Sequence, residues 1–189
     1  MRTTLLFILL LILLPVSIAV QDLLPPLPPM QERIFLLPVV FCFGALALPL
    51  LPALFFALAA ALIQGMALLQ IQSGQIEFGL TGPIIFFLGW TVALQMLSEA
   101  THGLRWEFHA IGSALVTLSL VAGEFLILCA KRGGFPFDLM VIFRIAMPSA
   151  AALLIAPLIY LLLIALVPYA SEPAYGQGRS GLGTSGLEG

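Results

Sequence analysis

LPALFFALAAALIQGMALLQIQSGQIEFGLTG, residues 51–82, is the stretch on which the reading of this chain turns. Ala53, Ala57, Ala61 and Gly65 recur every four residues, so on a helix they line up as one smooth stripe. In a membrane such a small-xxx-small stripe lets a second helix approach closely, and van der Waals packing replaces the missing hydrophobic drive. Leu54, Phe55, Leu58 and Leu62 fall on the opposite side, where they suit lipid or looser packing. Gln64, Gln70 and Gln72 then bring polarity, and Ser73, Gly74, Gly79 and Gly82 break the helix before the next apolar run. Two readings follow. One is a well-packed central membrane helix; the other is the hub of a binding or assembly protein, with Gln64 and Gln70 as its polar candidates.

The composition around this stretch excludes a soluble domain. Of the 189 residues, 61% are hydrophobic and 8% charged, with a mean hydropathy of +1.16. Soluble domains carry about 25% charged residues because their surface faces water. This chain faces lipid. The net charge of −2 comes without a Lys/Arg cluster, so nothing marks a nucleic-acid or anionic-lipid footprint. Cys42 and Cys129 sit in apolar segments without metal-ligand spacing, as small hydrophobes do.

Taken in order, residues 3–20 form the first apolar run. We read it as an uncleaved first helix, although Ser17-Ile18-Ala19 resembles a signal-peptidase site. The connector 21–33, QDLLPPLPPMQER, carries Pro25, Pro26, Pro28 and Pro29, which exclude a helix and favour polyproline geometry. The second run, 34–48, rises only about 22 Å against a hydrocarbon core of roughly 30 Å, so it must thin the bilayer or lean on neighbours. Pro49 and Pro52 couple it tightly to the helix that follows. Runs at 80–98, 108–130 and 139–167 complete the set, the last containing Pro148 and Pro157. Residues 99–107, EATHGLRWE, are a polar turn, with Trp106 placed like an interface anchor. The expected fold is all-α, a polytopic membrane protein of about six transmembrane helices. Residues 1–169 form a single transmembrane helical domain, followed by a disordered Gly/Ser-rich tail at 170–189. Positive charges divide evenly between the two sides, so charge counting does not orient the chain.

Few residues offer chemistry. Glu124 lies inside the fifth run and Arg144 in the second turn of the sixth. A hairpin centred between Gly134 and Phe135 sets position 124 opposite 145, so Glu124 and Arg144 are expected to form an intramembrane ion pair. Pro148 adds to this by leaving the Arg144 carbonyl without its helical donor. His102, His109, Glu99 and Glu107 are the one His/carboxylate cluster, but their spacing is not that of a helical zinc site. A solvated loop is the simpler reading. Gly112-Ser113 lacks a nucleophile-elbow context, and no phosphate loop, dinucleotide fingerprint or HExxH occurs. The expectation is no enzyme, no catalytic residue, no metal and no cofactor.

The order of segments resembles the rod shape-determining protein MreD family over about residues 12–166. Glu32-Arg33 before an apolar run resembles the family's entry to its second span, although the following Pro is absent here. Leu46-Ala47-Leu48-Pro49 is similar to its break before the central helix, and Phe78-Gly79-Leu80 to its Leu-Gly-hydrophobic turn. Glu124-Phe125-Leu126 is similar to an acidic position of the fifth helix in some members. The closest likeness is Phe143-Arg144-Ile145-Ala146-Met147-Pro148-Ser149-Ala150, followed by Ala156-Pro157-Leu158-Ile159-Tyr160. Where members place an Asp after a Gly near the end of the central helix, this chain has Gln64 or Gln70. A carboxylate-dependent role is then missing or relocated. The resemblance implies a multi-pass, non-enzymatic scaffold of the bacterial inner membrane with cytoplasmic termini. Its partners would be MreC-like and MreB-like proteins of the cell-elongation machinery (elongasome) in lateral peptidoglycan synthesis, with no nucleic acid and no small-molecule substrate. The alternative is a substrate-binding subunit of an energy-coupling-factor vitamin transporter, a six-helix fold that MreD distantly resembles. That reading requires convergent polar or aromatic groups between helices, and the candidates are Gln64, Gln70, Gln95 and Trp90.

Overall fold

The computed structural model describes residues 2–25, 34–67, 70–72, 75–77, 81–100, 106–134 and 138–166. Its long elements are six helices: α1 (Arg2–Leu23), α2 (Leu37–Ala47), α3 (Leu50–Ala67), α4 (Thr81–Ala100), α5 (Trp106–Arg132) and α6 (Leu139–Leu166). Two three-residue strands, β1 (Gln70–Gln72) and β2 (Gln75–Glu77), pair antiparallel between α3 and α4. The expected tail at 170–189 and most of the Pro-rich connector lie outside the described residues.

Among the described residues, four helices are long and apolar enough to cross a membrane: α1, α4, α5 and α6. The other two are shorter. α2 has 11 residues and rises about 16 Å, half a hydrocarbon core. It leans on neighbours, because Leu37–Leu46 are all buried. Pro38 opens it where its missing N–H costs nothing, and Gln21 of α1 accepts a hydrogen bond from Leu36 N–H at 3.2 Å.

α2 is the axle of the bundle. Phe41 and Phe43, two residues apart, point to opposite sides of a helix, and each meets a different helix pair. Phe41 lies edge-on to Phe87 of α4 at 4.7 Å and parallel to Phe56 of α3 at 6.4 Å. Phe43 meets His109 of α5 at 5.7 Å and Tyr160 of α6 at 6.0 Å. Aromatic pairs at such spacings add directional packing to burial. α1 closes one flank with Leu6, Leu10 and Leu14, which join the same core.

On α3, Ala53, Ala57 and Ala61 have no exposed surface and Gly65 is buried, whereas Phe55, Leu58 and Leu62 are exposed. The helix ends at Ala67. Gln70, expected beside Gln64 as a polar candidate, is instead on β1, in register with Glu77. The reason is the pattern Gln-Ile-Gln, two residues, Gln-Ile-Glu, which alternates with the period of a strand hairpin and not of a helix.

Candidate functional site

α2 packs against both α4 and α5 and itself offers one polar side chain, Cys42. The best-defined polar contact is at the turn between α2 and α3. Pro49 and Pro52 lack an N–H, so the carbonyls of Ala45 and Leu48, four residues before them, have no helical donor. Gln95 of α4 supplies both: its Nε2 donates to Ala45 O at 2.6 Å and to Leu48 O at 2.8 Å. Leu48 is 2% exposed, and non-helical backbone at membrane depth survives only where protein satisfies it. Gln95, expected as a pocket candidate, is a clamp on this turn. Thr91, one turn earlier and also fully buried, bonds its own helix at Phe87 O.

A second polar line runs along α5. His109, Ser113 and Thr117 follow at four-residue spacing, all with no exposed surface, and Glu124 returns to the same face two turns later. The solvated-loop reading is therefore corrected for His109, which stands in the first turn of α5 against Phe43 and Tyr160. Glu99 and Glu107 are exposed and His102 lies outside the described residues. Among the described residues no group of three His, Cys, Asp or Glu side chains could hold a metal.

Thr117 donates to Ser113 O at 2.7 Å, and the Cys42 thiol donates to His109 O at 3.8 Å. α2 and α5 are tightly apposed here, because a Cβ on Gly112 would lie 2.9 Å from the Cys42 sulfur. On α6, Ser149 Oγ donates to Ala114 O at 2.9 Å, pinning the register of the α5–α6 hairpin. The main chain of Val39 and of Ala156 lies against the His109 ring, and the Ser113 hydroxyl faces the Cys42 thiol.

Glu124 is half-buried and accepts a hydrogen bond from Gln64 Nε2 of α3 at 3.5 Å. Among the described residues no Cα of α3 lies within 8 Å of one on α5, so this side-chain bridge spans a gap between the two backbones. Arg144 is exposed on α6. Counting ten residues each way from the Ser149–Ala114 contact brings Glu124 level with the first residue of α6 and not with position 145. Arg144 then sits about one turn further from the hairpin loop.

Two surface hollows formed by described residues are apolar. One of about 350 Å³ is lined by Phe86, Gly89, Trp90 and Ala93 of α4. Another of about 250 Å³ lies between α3 and α4, lined by Leu51, Leu54, Phe55, Leu58 and Leu88. No protein-family model, curated protein or solved structure matches the chain.

Proposed function

We propose that this chain is a non-enzymatic scaffold of the bacterial cell-elongation machinery, set in the inner membrane with both termini cytoplasmic. In this reading it works with MreC-like and MreB-like partners in lateral peptidoglycan synthesis. The observation that carries the proposal is where the MreD-like residues sit. Leu46-Ala47-Leu48-Pro49 is the turn that Gln95 clamps. In the α6 segment Pro148 is buried, Ser149 bonds α5, Ala156 is fully buried and Tyr160 packs on His109 and Phe43. Several of the residues that carry the resemblance thus lie at joints of the bundle, which supports the reading.

The apolar character of both hollows supports a surface that meets lipid or another helix over a vitamin pocket, which needs convergent polar groups. The test is depletion in the native host combined with pull-down. Rounded cells and recovery of an MreC-like protein are expected. Unchanged cell shape, with purified protein retaining a vitamin stoichiometrically, would replace the scaffold with the transporter subunit.

A further inference from the structure

We propose that Glu124 is a docking point for another membrane helix, one that carries a basic side chain at the depth of this carboxylate. Glu124 lies six residues before Ala130, the end of the apolar span Trp106–Ala130, about 9 Å at 1.5 Å per residue. A carboxylate at that depth is costly unless a partner compensates its charge. Its donor is Gln64 Nε2 at 3.5 Å, a long bond from a neutral amide, which engages one oxygen and leaves the charge. Arg144, the basic residue of α6, is exposed and stands about one turn off level.

The surroundings leave room for a helix from outside. Ile127 and Leu128, one turn on from Glu124 along the same face, are both exposed, whereas Leu120, one turn back, is buried. The carboxylate thus sits at the inner edge of an open apolar strip of α5. Beside it, a Cβ on Gly123 would meet nothing within 4 Å. Among the described residues α3 and α5 have no Cα atoms within 8 Å of each other. Apolar contact alone selects no occupant, because acyl chains cover such a strip as well as a helix does. Charge complementarity selects one. A lipid headgroup stays at the interface, whereas a lysine or arginine on a spanning helix can be set at the depth of Glu124 and pair with it. The inference goes beyond the cell-elongation reading, since it needs only a partner helix in the same bilayer.

The test is energy transfer in phosphatidylcholine liposomes between the labelled full chain and a labelled single-span Leu/Ala peptide with one lysine at the matching depth. A control peptide carries leucine at that position. The lysine peptide should associate at least fivefold more strongly than the control. Glu124→Gln should abolish that preference, and Arg144→Gln should leave it in place. Gly123→Leu, which fills the open space and keeps the carboxylate, should weaken association of the lysine peptide at least twofold. Equal association of both peptides with the parent chain overturns the proposal, as does a Gly123→Leu variant that binds the lysine peptide unchanged. So does a preference that survives Glu124→Gln, or one that emerges only with Arg144→Gln, which would assign the carboxylate to Arg144. Loss of the preference when phosphatidylethanolamine replaces phosphatidylcholine would assign it to a lipid amine and overturn the proposal as well.

Discussion

α2 and α6 are built from the same kinds of residue and end in opposite surroundings. α2 buries ten of its eleven residues. α6 runs for 28 residues and leaves Leu139, Met140, Leu154, Leu158 and Leu161 more than half exposed. Hydropathy does not separate them, since lipid and protein interior are both apolar. Length does. A helix rising about 16 Å cannot cross the hydrocarbon core, so α2 must be enclosed, and its broken end needs polar partners supplied from other helices. α6 is long enough to cross, and it needs partners only on the side that carries Pro148, Ser149, Ala152, Ala156 and Tyr160.

The sharpest way to break this contrast is to remove the clamp at the end of α2. Gln95→Leu leaves the carbonyls of Ala45 and Leu48 without the donor that replaces the missing proline N–H groups. Each orphaned buried acceptor costs about 1–3 kcal/mol, so the pair should cost about 2–6 kcal/mol. Thermal unfolding in detergent should show a large drop in midpoint, with Gln95→Glu no better because it loses both donors. A midpoint within a degree of the parent would mean that the turn does not depend on α4.

Next come matched truncations on the two helices. Leu37 of α2 has no exposed surface, whereas Leu154 of α6 is 74% exposed. Leu37→Ala opens a cavity and should cost about 2 kcal/mol or more, the low end of the buried Leu→Ala range, because in lipid the transfer contribution is small. Leu154→Ala should leave the unfolding midpoint nearly unchanged. Equal losses at both positions would place something other than lipid on the outer face of α6.

Glycines offer the same comparison at smaller scale. A Cβ on Gly44 of α2 would overlap the Phe56 ring, while one on Gly89 of α4 meets nothing within 4 Å. Gly44→Ala should cost about 1–3 kcal/mol through overpacking. Gly89→Ala should be neutral or stabilise by up to about 1 kcal/mol through helix propensity. Unfolding curves of the two variants, measured side by side, check both signs.

The contrast also explains how far the sequence could be read. Helix positions were legible because apolar runs between Pro, Gly and polar breaks mark them, and the shortness of the second run already demanded support. The demand for a donor near Ala45 and Leu48 was present in Pro49 and Pro52. That the donor is Gln95 follows from α4 packing beside α2, which no local pattern specifies. His109 groups in sequence with His102, Glu99 and Glu107, which reads as a solvated cluster, although His109, Ser113 and Thr117 share one helical face. Which face is inward stays illegible when lipid and protein share one polarity. The Gln70–Glu77 hairpin is written in its two-residue alternation, although the polarity of Gln70 and Gln72 alone reads as the approach to a helix break. Gln64 meets Glu124 across helices that are 60 residues apart in sequence, a pairing that only the bundle creates.

Glu124 provides the finest test of the contrast, because it is a half-buried carboxylate on α5 reached by a side chain of α3. Two partners are in question: Gln64 of α3, which donates to it at 3.5 Å, and Arg144 on the exposed side of α6. A long hydrogen bond to a half-buried carboxylate is modest, and interhelical hydrogen bonds in membranes average about 0.6 kcal/mol in double-mutant cycles. Glu124→Gln with Gln64→Leu should therefore show a coupling of about that size in detergent unfolding. The Arg144 side chain is flexible enough to span one turn, but an exposed ion pair is weak, so Glu124→Gln with Arg144→Gln should couple less strongly. Raising the salt concentration separates the two, since screening weakens the Arg144 coupling and leaves the Gln64 coupling nearly unchanged. Strictly additive losses for Glu124 and Arg144 would remove the ion pair from this molecule. Additive losses for Gln64 as well would leave α3 and α5 joined only through α2, and the enclosure of that short helix would then account for the whole interface.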